Sequence, residues 1–281
     1  MIEQKKHTAF IFPGQGSQIV GMGSDLYEMS SGAKSIFDQV DEALNRSLTE
    51  IIFSGSQEDL NKTENAQPAI TATSLACLAM FKEKYPLIEA SSTAGHSLGE
   101  YTSLCASGAL SIPDTISLVS ERGRLMEVAC TQNPGGMVAL IGLDLNTIEE
   151  VCKEAGAYTA NINSQQQIII SGDNDSLALA VDLARARGAK KAIKLKVGGA
   201  FHSILMEPAR DSLIDFIDTL DFKDPKIPVI GNVNAEPLLN ASQIKNELID
   251  QLMSCVQWND TIEYMTLNGC NQFIEFGPGK I

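Results

Sequence analysis

The sequence predicts an α/β fold with a mostly parallel sheet, interrupted by a compact ferredoxin-like insert. Two observations carry this. Short apolar runs alternate with longer helical patterns along the chain, the rhythm of strands that need crossover helices in order to lie parallel. From about Gly136 the rhythm changes to strand, helix, strand, strand, helix, strand, the βαββαβ order of a unit that can be inserted as its own subdomain.

Taken in order, Thr8–Phe12 is the first apolar run and reads as a strand. Residues 66–81 carry Ala, Leu, Ile and Met at helical spacing, and 91–94 form a weak strand. The helix expected over 113–128 follows Ser111, a capping residue, with Pro113 in a first turn that has no use for its N–H. The insert comprises strands near 137–142, 159–162, 167–171 and 192–197, with helices over 147–155 and 175–187. The first rhythm then resumes: helix 205–220, strand 228–230, helices 242–252 and 260–267, strand 272–276. The expected organisation is a large domain of residues 1–130 and 198–281 around a subdomain of 131–197.

A chain of 281 residues, 44% hydrophobic and 20% charged, is long and apolar enough to bury a substantial core. Its net charge of −14 repels the phosphates of nucleic acid and an anionic membrane surface, so neither is expected as a partner. The charged opening runs into apolar residues that Pro13-Gly14-Gln15 interrupts before signal-peptide length, and no run approaches the roughly 18 apolar residues of a membrane span. The six cysteines (77, 105, 130, 152, 255, 270) show neither a CxxC pair nor metal-ligand spacing. They read as reduced thiols of a cytoplasmic protein, with no metal expected.

Gly95-His96-Ser97-Leu98-Gly99 matches G-x-S-x-G, a sharp strand-to-helix turn that lifts a serine hydroxyl above the sheet. A side chain at either glycine would crowd the turn, and the helix starting near Leu98 offers backbone N–H groups to a developing oxyanion. A serine nucleophile needs a base, and there are only three histidines. His7 lies in the N-terminal tail and His96 is adjacent to the nucleophile, which leaves His202. The acid that usually orients such an imidazole cannot be chosen from 35 candidates by spacing.

Seven segments in one order resemble the malonyl-CoA:acyl carrier protein transacylases of fatty-acid synthesis and the acyltransferases of polyketide synthases. They are Phe12-Pro13-Gly14-Gln15-Gly16-Ser17-Gln18, Gly95-His96-Ser97-Leu98-Gly99-Glu100-Tyr101, Arg122-Gly123, Asn161-Ile162-Asn163-Ser164, Gly199-Ala200-Phe201-His202-Ser203, Val256-Gln257-Trp258 and Phe276-Gly277-Pro278-Gly279-Lys280. The resemblance implies an α/β-hydrolase-like large domain around the ferredoxin-like insert. It makes Ser97 the nucleophile and His202 its base, with the backbone N–H groups of Gln15 and Leu98 as the oxyanion hole. The backbone carbonyl of Gln251 would orient His202 in place of a carboxylate, which should leave the imidazole less basic than in an Asp-supported triad.

The same resemblance assigns Arg122 to the free carboxylate of malonate, which its planar fork suits. Spacing alone equally allows a surface arginine, because Glu121, Arg122 and Arg124 share a charged helical stretch. Asn163 and Phe201 are implied in substrate binding, the bulk of Phe201 favouring malonyl over methylmalonyl. Ile204 departs from the proline many relatives carry after the His-Ser pair, and relatives usually continue into a helix beyond Ile281. The implied substrates are malonyl-CoA and an acyl carrier protein, with coenzyme A arriving as a thioester and no other cofactor. A monomer is expected.

Two other readings compete. G-x-S-x-G alone does not distinguish water from a thiol as acceptor, so a serine esterase or thioesterase shares it; a carboxylate clamp at Arg122 argues for a charged acyl group instead. A non-catalytic carrier-binding module would not need Ser97, His202 and Arg122 together. An acidic carrier meeting a chain at −14 needs a local cationic patch, and residues 185–196 hold Arg185, Arg187, Lys190, Lys191, Lys194 and Lys196 without an acid. Arg185, Arg187, Lys190 and Lys191 are the expected docking residues, although lysines on a strand edge also serve solubility alone.

Overall fold

The computed structural model describes residues 7–279. Two sheets organise the chain. The larger contains β1 (Thr8–Phe12), β2 (Ala90–Gly95), and three later strands, while the smaller is built within residues 136–194 from β3 (Gly136–Ile141), β4 (Tyr158–Ser164), β5 (Gln167–Gly172) and β6 (Lys191–Lys194). The chain then returns to the larger sheet as β7 (Val229–Ile230), β8 (Pro237–Leu238) and β9 (Gln272–Glu275).

The larger sheet has the order β8-β7-β2-β1-β9 and is parallel throughout except for β8, which joins β7 as an antiparallel edge. Parallel strands are buried on both faces, and β1 shows why its run is continuously apolar. Ala9 packs on one face with Ala94, Ile230 and Met265, while Phe10 and Phe12 pack on the other with Leu78 and Phe276. Phe10 meets Phe276 edge-on at 4.9 Å, an arrangement aromatic quadrupoles favour. Burying Phe12 completely contributes about 2–3 kcal/mol relative to leaving it in water.

The smaller sheet, order β4-β5-β3-β6, is antiparallel at every pairing and alternates in the manner of a two-faced sheet. Val138, Leu140, Ile168 and Ile170 face the helices Leu145–Ala155 and Asn174–Ala186. Met137, Ala139 and Ile169 point the other way, into the core that includes Leu98, Met126 and Phe201. A parallel bridge between Asn161 and Val256 ties β4 back to the large domain, with Ile162 N–H donating to Val256 O at 2.9 Å.

Several elements differ from expectation. Four helices between residues 24 and 61, Ser24–Met29, Ser31–Leu44, Leu48–Ser54 and Gln57–Asn61, fall where no element was expected; they pack with Thr63–Lys84 in a core of their own. Thr63–Lys84 begins before Pro68, whose missing N–H leaves the Glu64 carbonyl free to accept from Arg46 at 3.4 Å. Strand β6 stops at Lys194 rather than 197, because Leu195, Lys196 and Val197 turn to line the cleft between the sheets. The helix expected from 205 begins as a 3-10 turn, Ile204–Met206, and becomes α-helical only at Glu207–Asp218, where Pro208 takes the first turn. Ile204 itself is exposed, so the missing proline leaves the helix start intact. Lys280 of the last motif lies outside the described residues.

Candidate active site

In open parallel sheets the loops at the C-terminal ends of the strands gather into one crevice. Here those loops are Pro13–Gly16 after β1, His96–Leu98 after β2, Gly231–Val233 after β7 and the Phe276 segment after β9. The β1 and β2 loops meet the inner face of the smaller sheet across a cleft of about 570 Å³, lined among others by Gln15, Ser97, Arg122, Asn163, Phe201 and Trp258.

Ser97 stands between β2 and the helix Leu98–Ala106 with φ 50° and ψ −101°, a conformation that costs a non-glycine residue of order 1–3 kcal/mol. The turn is held by close backbone approach. A Cβ on Gly95 would overlap the Gly99 carbonyl carbon, and one on Gly99 would overlap the Phe12 oxygen, so neither position accepts any side chain. Leu98, as the first helical residue, presents a backbone N–H that the helix does not use.

His202 Nε2 lies 2.7 Å from Ser97 Oγ. On its other side, Nδ1 lies 3.0 Å from Gln251 O and 3.1 Å from Ser254 O. Carbonyl oxygens only accept, so Nδ1 carries the proton and Nε2 keeps the lone pair that faces the serine hydroxyl. Burial, and then the positive charge of Arg122, pull the His202 pKa down to about 3, leaving the ring neutral. The two carbonyls act in the opposite direction, so the low basicity expected of this imidazole has a different cause from the one its uncharged orienter suggested.

Arg122 is 1% exposed, the largest fully buried side chain among the described residues. Its Nη1 donates to Gln67 Oε1 at 2.8 Å, and Nη2 to Gln251 Oε1 at 3.1 Å and Ser97 Oγ at 3.4 Å; its Nε has no partner. The surface ion pair open to it from spacing belongs to its neighbour, since Glu121 binds Arg124. Among the described residues no carboxylate pairs with Arg122. A buried guanidinium with neutral partners and a free donor, beside the Ser97 hydroxyl, is suited to receive an anionic group.

The remaining expected residues fall as follows. Gln15 and Leu98 line the cleft, and Phe201 lines it while 6% exposed. Asn163 accepts from His96 Nε2 at 2.8 Å, and the same ring sits edge-on to Trp258, which turns His96 away from the Ser97 hydroxyl. His7 sits at the opposite end of β1, where its carbonyl accepts from Asn271. Of the basic segment, Arg187 is paired with Glu154 and Arg185 approaches Asp182, while Lys190, Lys191, Lys194 and Lys196 are exposed without ion pairs among the described residues. Lys196 reaches the cleft rim.

Sequence reasoning missed Gln67, Asn232 and Ser254. Gln67 had a legible signal, a polar residue before Pro68 in an otherwise apolar helix; it is fully buried. Asn232 and Ser254 sit in loops whose partners are distant in the chain, and nothing local marks them.

Known proteins match nearly the whole chain. The profile of the acyl transferase domain matches residues 9–278. The malonyl CoA-acyl carrier protein transacylase of Bacillus subtilis is 45% identical over 278 residues, covering 97% of this chain and 87% of that protein. The crystal structure of an acyl carrier protein S-malonyltransferase from Vibrio cholerae superposes with a TM-score of 0.94 at 38% identity, covering 98% of this chain and 91% of that one. A malonyl-transacylase solved in complex with its type II polyketide synthase acyl carrier protein gives 0.94 at 37% identity, covering 98% and 90%.

Proposed function

Because the chain belongs to the acyl transferase domain family, we propose that Ser97 and His202 carry its reaction through a malonyl ester on Ser97. The chain transfers malonyl from malonyl-CoA to an acyl carrier protein, in the service of fatty-acid or polyketide synthesis. The observation that carries the site assignment is Arg122, a buried cation without a carboxylate partner, 3.4 Å from the Ser97 hydroxyl.

In the first half-reaction His202 Nε2 takes the Ser97 proton as Oγ attacks the thioester carbonyl. The oxyanion forms between the N–H groups of Gln15 and Leu98, and Arg122 holds the malonyl carboxylate bidentately. Collapse expels the coenzyme A thiolate, which takes the proton from His202. In the second half the carrier's phosphopantetheine thiol gives its proton to His202 and attacks the ester; collapse returns malonyl on sulfur and a proton to Ser97 Oγ. Asn163 and Phe201 bound the acyl and pantetheine space, and the bulk of Phe201 fills the volume a 2-methyl group would need. The carrier docks on the exposed lysines Lys190 and Lys191, with Arg185 and Arg187 beside them.

Residues 131–197 act as the inserted subdomain that closes the cleft from above the large domain of 1–130 and 198–281. The reading includes no cofactor beyond the thioester substrate, a monomeric chain and a cytoplasmic location. Among the described residues no helix is long and apolar enough to cross a membrane.

The test is a pair of donors. Malonyl-CoA should leave one malonyl group on the Ser97 peptide, seen by mass spectrometry, and Ser97→Ala should take none. Arg122→Ala should lose malonyl transfer by about 10²- to 10³-fold while acetyl transfer is spared or raised. Equal loss for both donors would give Arg122 a structural role.

A further inference from the structure

The backbone of Ser97 is bonded at both ends to side chains from distant parts of the chain. Its N–H donates to Asn232 Oδ1 at 2.7 Å, and its carbonyl accepts from Gln251 Nε2 at 3.0 Å. Asn232 does more than accept. Its Nδ2 donates to Gly95 O at 2.8 Å, so one carboxamide spans the turn from the residue before His96 to the nucleophile. It is fully buried and comes from the loop after β7, the strand next to β2 in the sheet.

Asn232 is itself held. Its N–H donates to Glu100 Oε2 at 2.7 Å, its carbonyl accepts from Gln257 N–H at 2.8 Å, and the next N–H, of Val233, donates to Glu247 Oε1 at 2.7 Å. Every polar atom of Asn232 is therefore used, and Glu100, one turn beyond the nucleophile on its own helix, closes the ring. Burial, and then the neighbouring Glu247 carboxylate, push the Glu100 carboxyl well above the usual range.

We infer that Asn232 is a positioning residue for acyl transfer: its carboxamide keeps the strained backbone of Gly95–Ser97 in the one geometry that aims Ser97 Oγ at His202 and Leu98 N–H at the oxyanion. This rests on the reading of Ser97 as nucleophile. The physical reason is that a residue at φ 50° and ψ −101° relaxes unless its surroundings over-determine it, and these two hydrogen bonds, beside the one from His96 N–H to Phe12 O at 3.0 Å, constrain the N-terminal side of the turn. Asn232 lies outside the lining of the cleft, so its loss should act on chemistry rather than on binding.

Single-turnover acylation by malonyl-CoA, followed by mass of the Ser97 peptide, tests this in the full chain. Asn232→Ala should slow acylation about 100-fold, the scale of a small misplacement of reacting groups, with half-saturation by malonyl-CoA within about 3-fold of wild type. Reaction of Ser97 with a small organophosphorus fluoride, which uses neither Arg122 nor the coenzyme A space, should slow in parallel. Asn232→Asp keeps the shape and the acceptor for Ser97 N–H but turns a carboxylate oxygen toward the Gly95 carbonyl in place of the donor, so it should lose at least about 10-fold, one hydrogen bond and the repulsion that replaces it. It decides the matter if Asn232→Ala fails to fold. Wild-type acylation in a folded variant, or a loss confined to malonyl-CoA affinity, overturns the inference. Wild-type protein that carries its malonyl group elsewhere than Ser97 overturns the nucleophile reading instead.

Discussion

The two sheets handle their backbones in opposite ways. At the end of β2 the chain is fixed by contacts no side chain can enter: Gly95 against Gly99, Gly99 against Phe12, Ser97 between Asn232 and Gln251. Along β6, an outer strand of the smaller sheet, Lys191, Ile193 and Lys194 stand in solvent, and among the described residues one edge of the strand has no partner. Reaction needs atoms held to fractions of an ångström, which only an over-determined backbone provides. Recognition of a partner protein needs charge at a distance, which an open edge supplies. On the proposed reading, each task falls where the backbone suits it.

That contrast predicts steep losses at the first region and shallow ones at the second. The largest should follow His202→Ala, which removes the base and leaves Ser97 bonded only weakly to Arg122; acylation by malonyl-CoA should fall about 10⁴-fold or more. Near-normal acylation in a stopped-flow burst would break the assignment and turn attention to His96.

The pH profile follows from burial. The ring is neutral and able to accept a proton above about pH 3, because burial and Arg122 depress its pKa. Acylation kcat/KM should therefore stay level from pH 8 to pH 5, where an imidazole titrating at about 6.5 would already have lost about thirty-fold. The same depression has a stability consequence. The unfolded chain binds a proton at this histidine between about pH 6.5 and 3 while the folded one does not, so stability falls as pH drops through that window. Replacing His202 by a non-titrating residue should flatten that part of the acid-unfolding curve.

A smaller effect is expected at the cleft wall. Phe201→Ser should shift the preference between malonyl-CoA and methylmalonyl-CoA by about 10-fold toward the latter, the scale of one added carbon in a closed pocket. An unchanged ratio would make Phe201 a core residue and no more. The smallest effect belongs to the open edge. Reversing Lys190 and Lys191 to Glu should raise the KM for an acyl carrier protein about 3- to 10-fold at low salt and flatten its salt dependence, with acylation by malonyl-CoA unchanged. Indifference to both reversals would move the docking surface off this strand.

Some of this was determined by the sequence alone. The βαββαβ order, the turn at Gly95–Gly99, the choice of His202 from three histidines and the run of lysines near β6 are all local patterns, set by side-chain period, by glycine placement and by the scarcity of one residue type. Other features depend on partners far apart in the chain. Whether Arg122 faced solvent or the Ser97 hydroxyl turned on helix packing that brings Gln67 and Gln251 to it. The neutrality of His202 comes from burial that no window of residues reveals, and the clamp at Ser97 joins positions 135 residues apart. Periodicity tells which face a residue shares. Only the closed fold decides what that face meets, because hydrogen bonds and desolvation depend on distances that chain spacing does not encode.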